Sequence, residues 1–151
     1  MSGDPRIIGF LTRALSHEFG ALQQYLMQAK LTAAWGLGDV SAALRQDVQE
    51  ETGHAERLME RMLVYGITPN ATQLAPVRLG RSLAQLLELN RQLELDAVRL
   101  YDEAAAYCAR VRAHDDERLF SEILRDELGH VREIEAQMAK LGQGARSGSG
   151  G

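Results

Sequence analysis

Between Pro5 and Trp35 the chain places Ile8, Leu11, Leu15, Leu22, Tyr25 and Ala29 at alternating steps of three and four, with Glu18 inside the same series. That spacing is one buried stripe on a helix. Asp4 ahead of Pro5 supplies a capping acceptor before a proline suited to the first helical position. Gly36-Leu37-Gly38 ends this helix, and Asp39 reads as the cap of a second, with a seam of Val40, Leu44, Asp47, Glu51, His54, Leu58, Met62 and Tyr65. The period lapses from Gly66 to Arg81, around Pro69, Asn70 and Pro76. Ser82-x-x-Gln85 then opens a third helix as a capping box, with a seam of Leu83, Leu87, Asn90, Glu94, Ala97, Tyr101 and Ala104. After a polar turn at Arg112 to Asp116 comes a fourth, through Phe120, Ile123, Glu127, His130, Ile134 and Met138.

These elements predict an all-α fold, a four-helix bundle. A 27-residue helix is about 40 Å long, and sixteen extended residues at ~3.3 Å each can run back along it. The stretch from Gly66 to Arg81 is therefore expected to be one long crossover, with the second and third helices parallel. Residues 1–141 form the expected single domain, and the Gly/Ser-rich residues 142–151 a flexible tail.

Two tetrapeptides stand out within the seams, Glu51-Thr52-Gly53-His54 and Glu127-Leu128-Gly129-His130. A Glu and a His three apart share a helix face, so each copy offers a carboxylate and an imidazole to one point. Glu18 and Glu94 lie 33 residues before the respective tetrapeptides, and the whole set repeats at an offset of 76, which also maps Tyr25 onto Tyr101. The halves are expected to be helical hairpins related by an approximate twofold.

Four carboxylates in a bundle interior are costly as bare charges, several kcal/mol each even after relaxation. Two divalent cations cancel them. Carboxylate and imidazole donors suit iron or manganese. A Glu from each of two helices plus Glu-x-x-His from each of the other two is the donor set of di-iron and di-manganese carboxylate proteins. Asp126 and Asp47 are candidate partners for the imidazoles, or simply surface and end-of-seam charges. Tyr25 and Tyr101 are candidates to hydrogen-bond a ligand carboxylate, Tyr25 also to donate an electron; core packing is the alternative for both. His17, turned about 100° from Glu18, and His114, in the turn before the fourth helix, stand outside the set.

Composition narrows the setting. With 45% hydrophobic and 25% charged residues and a formal charge of −4, the chain has the balance of a soluble globular domain and no basic patch for nucleic acid. The one cysteine, Cys108, cannot form an internal disulfide, and residues 1–9 lack a secretory pattern. No run approaches the ~18 apolar residues of a membrane span. A cytoplasmic protein with no membrane or nucleic-acid partner is expected.

The order Glu18, Glu51, His54, Glu94, Glu127, His130, the run Asp126-Glu127-Leu128-Gly129-His130, and Trp35-Gly36-Leu37 at the first turn resemble the bacterioferritins, through Leu141. The resemblance implies a ferritin-like bundle with a ferroxidase centre of two iron ions per subunit. There Fe(II) is oxidised by oxygen or peroxide and passed to a mineral inside a protein shell. By residue, it implies Glu18 and Glu94 as terminal ligands with His54 and His130, and Glu51 and Glu127 as bridges. It further implies a homo-oligomer, from a dimer to a 24-subunit cage, or mixed assembly with a haem-binding paralogue. Members that bind haem at a dimer axis carry a methionine where this chain has Thr52, so no haem is expected through that position. Gln46 and Glu50 stand where some members carry an inner-surface iron site, and the fifth helix usual in the family is not expected. The alternative is a small-oligomer di-iron oxidase or peroxidase, similar to the helical part of rubrerythrin, that stores nothing. A third reading is a bundle that binds metal only to fold.

Overall fold

The computed structural model describes residues 3–70 and 74–147, which form four helices: α1 (Pro5–Ala34), α2 (Gly38–Val64), α3 (Leu83–Arg110) and α4 (His114–Ser147). Local chemistry sets most of the boundaries. The Asp4 carboxylate accepts from the Arg6 amide at 2.9 Å, and the Ser82 hydroxyl accepts from the Gln85 amide at 3.2 Å while the Gln85 side chain reaches back to the Arg81 amide. α1 closes on Gly36 (φ 80°), which lets the Leu37 amide bond the Thr32 carbonyl at 2.9 Å.

Three expectations shift. Asp39 is not a cap: Leu37 holds that position without a side-chain bond, and Asp39 lies in the first turn, where its charge meets the positive end of the helix dipole. His114 belongs to α4 rather than to the turn before it. The tail expected from Gly142 is helical as far as Ser147, because two glycines among helix-forming residues weaken a helix without a proline to stop it. Residues 148–151, the rest of that expected tail, lie outside the described residues.

Contacts between helices give the topology. Along α1 and α3, Tyr107 bonds Asp4, Tyr101 bonds Glu18, and Gln24 bonds Asn90, so the two run antiparallel. Along α2 and α4, Asp116 pairs with Arg61, Glu122 with Arg57 and Asp126 with His54, again antiparallel. α1 and α2 reverse through a short turn, with Ser41 donating to the Ala29 carbonyl at 2.7 Å. α2 and α3 are therefore parallel, which requires the long crossover that the sequence predicts.

That crossover is pinned to α1. Gln24 accepts from the Arg78 amide, and the buried Gln28 amide donates to the carbonyls of Arg78 and Leu79, each at 3.3 Å. Gly80 (φ 86°) lets the strap pass against α3, since a Cβ there would sit 2.8 Å from the Leu86 nitrogen. The main core fills the opposite end of the bundle, around Phe10, Leu11, Leu58, Phe120 and Ile123. Between the two ends the seams carry the charged residues inward.

Candidate metal centre

Each helix delivers its carboxylate to the middle of the bundle: Glu18 from α1, Glu51 with His54 from α2, Glu94 from α3, and Glu127 with His130 from α4. All six are buried, none more than 7% exposed. Their donor atoms form two groups, Glu18, Glu51, His54 and Glu127, and Glu51, Glu94, Glu127 and His130, each with its atoms within 4.8 Å of one another. Glu51 and Glu127 belong to both. The twofold repeat thus becomes two adjoining sites with a shared wall.

The imidazoles are oriented inward. His54 Nδ1 lies 2.9 Å from Glu127 Oε1, 3.4 Å from Glu51 Oε2 and 3.8 Å from Glu18 Oε1. His130 Nδ1 lies 3.1 Å from Glu51 Oε1, 3.6 Å from Glu94 Oε1 and 3.8 Å from Glu127 Oε2. The outer nitrogens are held by carboxylates, His54 Nε2 by Asp126 at 2.9 Å and His130 Nε2 by Glu50. With a proton on Nε2 shared with that carboxylate, a neutral ring would turn its Nδ1 lone pair into the cavity.

Several inward atoms have no hydrogen-bond partner: Glu18 Oε2, Glu51 Oε1, Glu94 Oε2, Glu127 Oε1 and His130 Nδ1. The short approach of His130 Nδ1 to Glu51 Oε1 lacks hydrogen-bond geometry, so it satisfies neither atom. Unmet acceptors on every helix, converging on one dry spot, are what a pair of cations would satisfy. Protons can do part of that work. Burial and the neighbouring Glu51 push Glu18 well up, and burial with Glu127 does the same to Glu94. Burial also opposes ionisation of Glu51 and Glu127, but the neighbouring Glu18 and Glu94 carboxyls and the closeness of both imidazoles outweigh it and hold these two low. The same carboxylates drive both histidines far up, against their burial.

Tyr25 and Tyr101 each bond a carboxylate that belongs to one donor group only, and they do so crosswise. Tyr101 on α3 donates to Glu18 on α1 at 2.6 Å, and Tyr25 on α1 donates to Glu94 on α3. Of the two aspartates in question, Asp126 holds an imidazole, that of the other hairpin. Asp47 bonds neither ring; it lies half-buried in a third loose group with Glu50 and His130, and burial lifts its carboxyl to about 7. Sequence reasoning missed Glu50 as a histidine partner, although the 76-residue repeat sets it opposite Asp126. His17 is half-buried and His114 exposed, and neither joins a donor group. Thr52 turns its hydroxyl back to the Val48 carbonyl at 2.7 Å. Cys108 is free and buried.

Two spaces adjoin the centre. A cavity of about 60 Å³ extends from Tyr25, Glu94 and His130 past Asp47 and Asn90. An open cleft of about 710 Å³ between α2 and α4 is lined by both histidines, Glu50, Asp126, Gly53 and Gly129.

The family model of the ferritin-like domain matches residues 8–143. A bacterioferritin of Rhodobacter capsulatus is 37% identical over 139 residues, which cover 92% of this chain and 86% of that protein. One from Brucella melitensis is 33% identical over 146 residues, covering 95% and 91%. The solved R. capsulatus bacterioferritin superposes with a TM-score of 0.92 at 36% identity, over 95% of this chain and 89% of that one. That structure has a metal-free dinuclear site and a haem iron in a crystallographic special position.

Proposed function

The chain belongs to the ferritin-like family, among the bacterioferritins, and from that premise we propose that it is an iron-storage subunit that oxidises Fe(II) at the centre between its four helices. The observation that carries the reading is the convergence of unpaired carboxylate oxygens with two imidazoles whose outer nitrogens are already engaged. Glu18 and His54 would hold one ion, Glu94 and His130 the other, and Glu51 and Glu127 would bridge them.

Bound ferrous iron supplies the redox step, each ion yielding one electron to oxygen or peroxide. This chain's own residues do the rest. The four carboxylates balance the charge of two dications, so arrival of the ions relieves the repulsion that burial imposes. Tyr25 and Tyr101 fix the free ends of Glu94 and Glu18 and keep water off the α1–α3 side. Tyr25, fully enclosed and next to a ligand carboxylate, is also placed to give up an electron through its phenol. Asp126 and Glu50 orient the imidazoles and can take up the protons that metal binding displaces.

Iron is favoured over manganese by family, and the donor chemistry accommodates both. Thr52 offers no thioether, so any haem in the assembly would come through a methionine-bearing partner subunit. A free, buried Cys108 fits the reducing cytoplasm, and no helix among the described residues is long and apolar enough to cross a membrane.

Stopped-flow absorbance after mixing metal-free protein with ferrous iron in air tests the oxidation, and particle mass after iron loading tests the storage. The expected result is oxidation far faster than in buffer and a large closed assembly with a mineral core. Fast oxidation in a particle of a few tens of kilodaltons without mineral would support the small di-iron oxidase instead.

A further inference from the structure

The twofold that pairs the donors does not pair the walls around them. On the Glu18–His54 side the wall is hydrocarbon, Phe10, Ala14, Phe120 and Ile123, none more than 1% exposed. Their equivalents in the 76-residue repeat, on the Glu94–His130 side, are Leu86, Asn90, Leu44 and Asp47, and these line a cavity. Its volume of about 60 Å³ is several times the ~10–15 Å³ that one water needs. The lining passes from the exposed Ala43, Glu133 and Gln137 to Tyr25, Glu94 and His130. At that inner end Glu94 Oε2 and His130 Nδ1 have no hydrogen-bond partner.

Asn90 gives this cavity a fixed donor. Gln24 accepts from the Arg78 amide through its oxygen at 3.3 Å and donates through its nitrogen to Asn90 Oδ1 at 3.0 Å. The Asn90 oxygen is thereby engaged, and its N–H groups are what the side chain has left to offer a guest. Across the twofold the same two places hold Leu100 and Ala14, neither of which has a side-chain donor.

Walls of this kind suit a small hydrogen-bonding molecule better than an apolar gas. We propose that the cavity admits hydrogen peroxide to the Glu94–His130 side of the centre, held there by the Asn90 amide, so that the oxidant meets one of two otherwise equivalent ions. The proposal rests on the metal-centre reading above. Reduction of the peroxide takes one electron from each of two ferrous ions and two protons from solvent at the mouth, breaks the O–O bond and releases two waters.

Azide, a small anion that accepts hydrogen bonds, serves as the probe, titrated into the assembled protein loaded with two cobalt(II) ions per chain and followed by visible absorbance. Asn90→Leu should weaken azide binding on the order of tenfold, the loss of one hydrogen bond to a charged group. Leu44→Phe, which puts at the cavity wall the ring that Phe120 supplies on the other side, should abolish it. Both variants should still bind two cobalt ions. In stopped-flow of the ferrous protein both should slow oxidation by peroxide under anaerobic conditions, and slow oxidation by dioxygen less. Phe120→Leu, at the equivalent place on the closed side, should lower the melting temperature and leave azide affinity unchanged.

Unchanged azide affinity in cavity variants that retain both ions, or no azide binding by the cobalt-loaded wild type, would overturn the cavity site. Leu44→Phe decides this if Asn90→Leu does not fold. A slowing confined to dioxygen would overturn peroxide as the occupant. A wild-type chain that binds no cobalt pair would overturn the metal centre itself, and the cavity's role with it.

Discussion

The two ends of the bundle descend from one repeated pattern and yet are built from different chemistry. At the end formed by the start of α1 and of α4, the core holds Phe10, Ala14, Phe120 and Ile123. At the equivalent places of the other end, 76 residues away in the repeat, stand Leu86, Asn90, Leu44 and Asp47. More polar side chains line the 60 Å³ cavity there, while at the phenylalanine end Phe10 and Phe120 pack ring against ring, 6.4 Å between centroids. Gln24, Gln28 and Thr32, all buried at the polar end, correspond to Leu100, Ala104 and Cys108 at the apolar one. The glutamines explain part of the difference, because they hold the crossover strap, which has no counterpart across the twofold. The six donors keep their symmetry, as two ions with the same needs would require. The flanking layers diverge because one anchors stability and the other anchors a loop and a cavity.

The largest effect should come from the layer the ends share. Glu51→Gln or Glu127→Gln removes a donor common to both groups, and iron oxidation should fall on the order of 100-fold or more in stopped-flow. Each should also lower the melting temperature of the metal-free protein, since it deletes an ionised carboxylate that both buried imidazoles face. Glu18→Gln and Glu94→Gln each touch one group and should leave one ion bound. A fall no greater for Glu51 and Glu127 than for the terminal pair would break the bridging assignment.

Next in size is the contrast between cores. Phe120→Ala should cost about 3–5 kcal/mol and Leu44→Ala about 2–3 kcal/mol in urea unfolding of the metal-free protein. Equal costs would mean that the ends are not differently packed.

The smallest effect sharpens the polar end. Asp47 titrates at about 7, raised chiefly by burial, partly offset by His130 and reinforced by Glu50 and Glu51. In the unfolded chain an aspartate titrates at about 3.9. The native state therefore holds a proton that the unfolded state releases between those values, so stability is full below pH ~4 and is lost as the pH rises through 7. Asp47→Asn should remove this loss, gaining on the order of 2 kcal/mol at pH 8 and nothing near pH 4. Urea titrations of metal-free protein at the two pH values check the difference.

The six donors were legible because Glu and His at apolar seam positions are anomalous, and an anomaly repeated at a fixed offset is specific. The crossover was legible from its length. What one helix cannot reveal is the register of its neighbour, so the crosswise bonds of Tyr25 to Glu94 and Tyr101 to Glu18 could be named as a role but not as a pairing. Asp126 was read correctly as a candidate, while Glu50 was overlooked because a carboxylate just off the seam looks like any solvated one. Gln24 and Gln28 gave no signal, since their partners are backbone groups of an irregular loop. Asp39 and the helix beyond Gly142 differ because local propensity is a weak force beside the continuity of a long helix.

Crystals of the protein soaked anaerobically with ferrous iron, with anomalous differences recorded at the iron edge, test the central claim most directly. Two peaks should lie between His54 and His130, ~3.5–4 Å apart, one nearer Glu18, the other nearer Glu94, and both within reach of Glu51 and Glu127. A single peak, or none inside the bundle, would contradict a paired-iron centre.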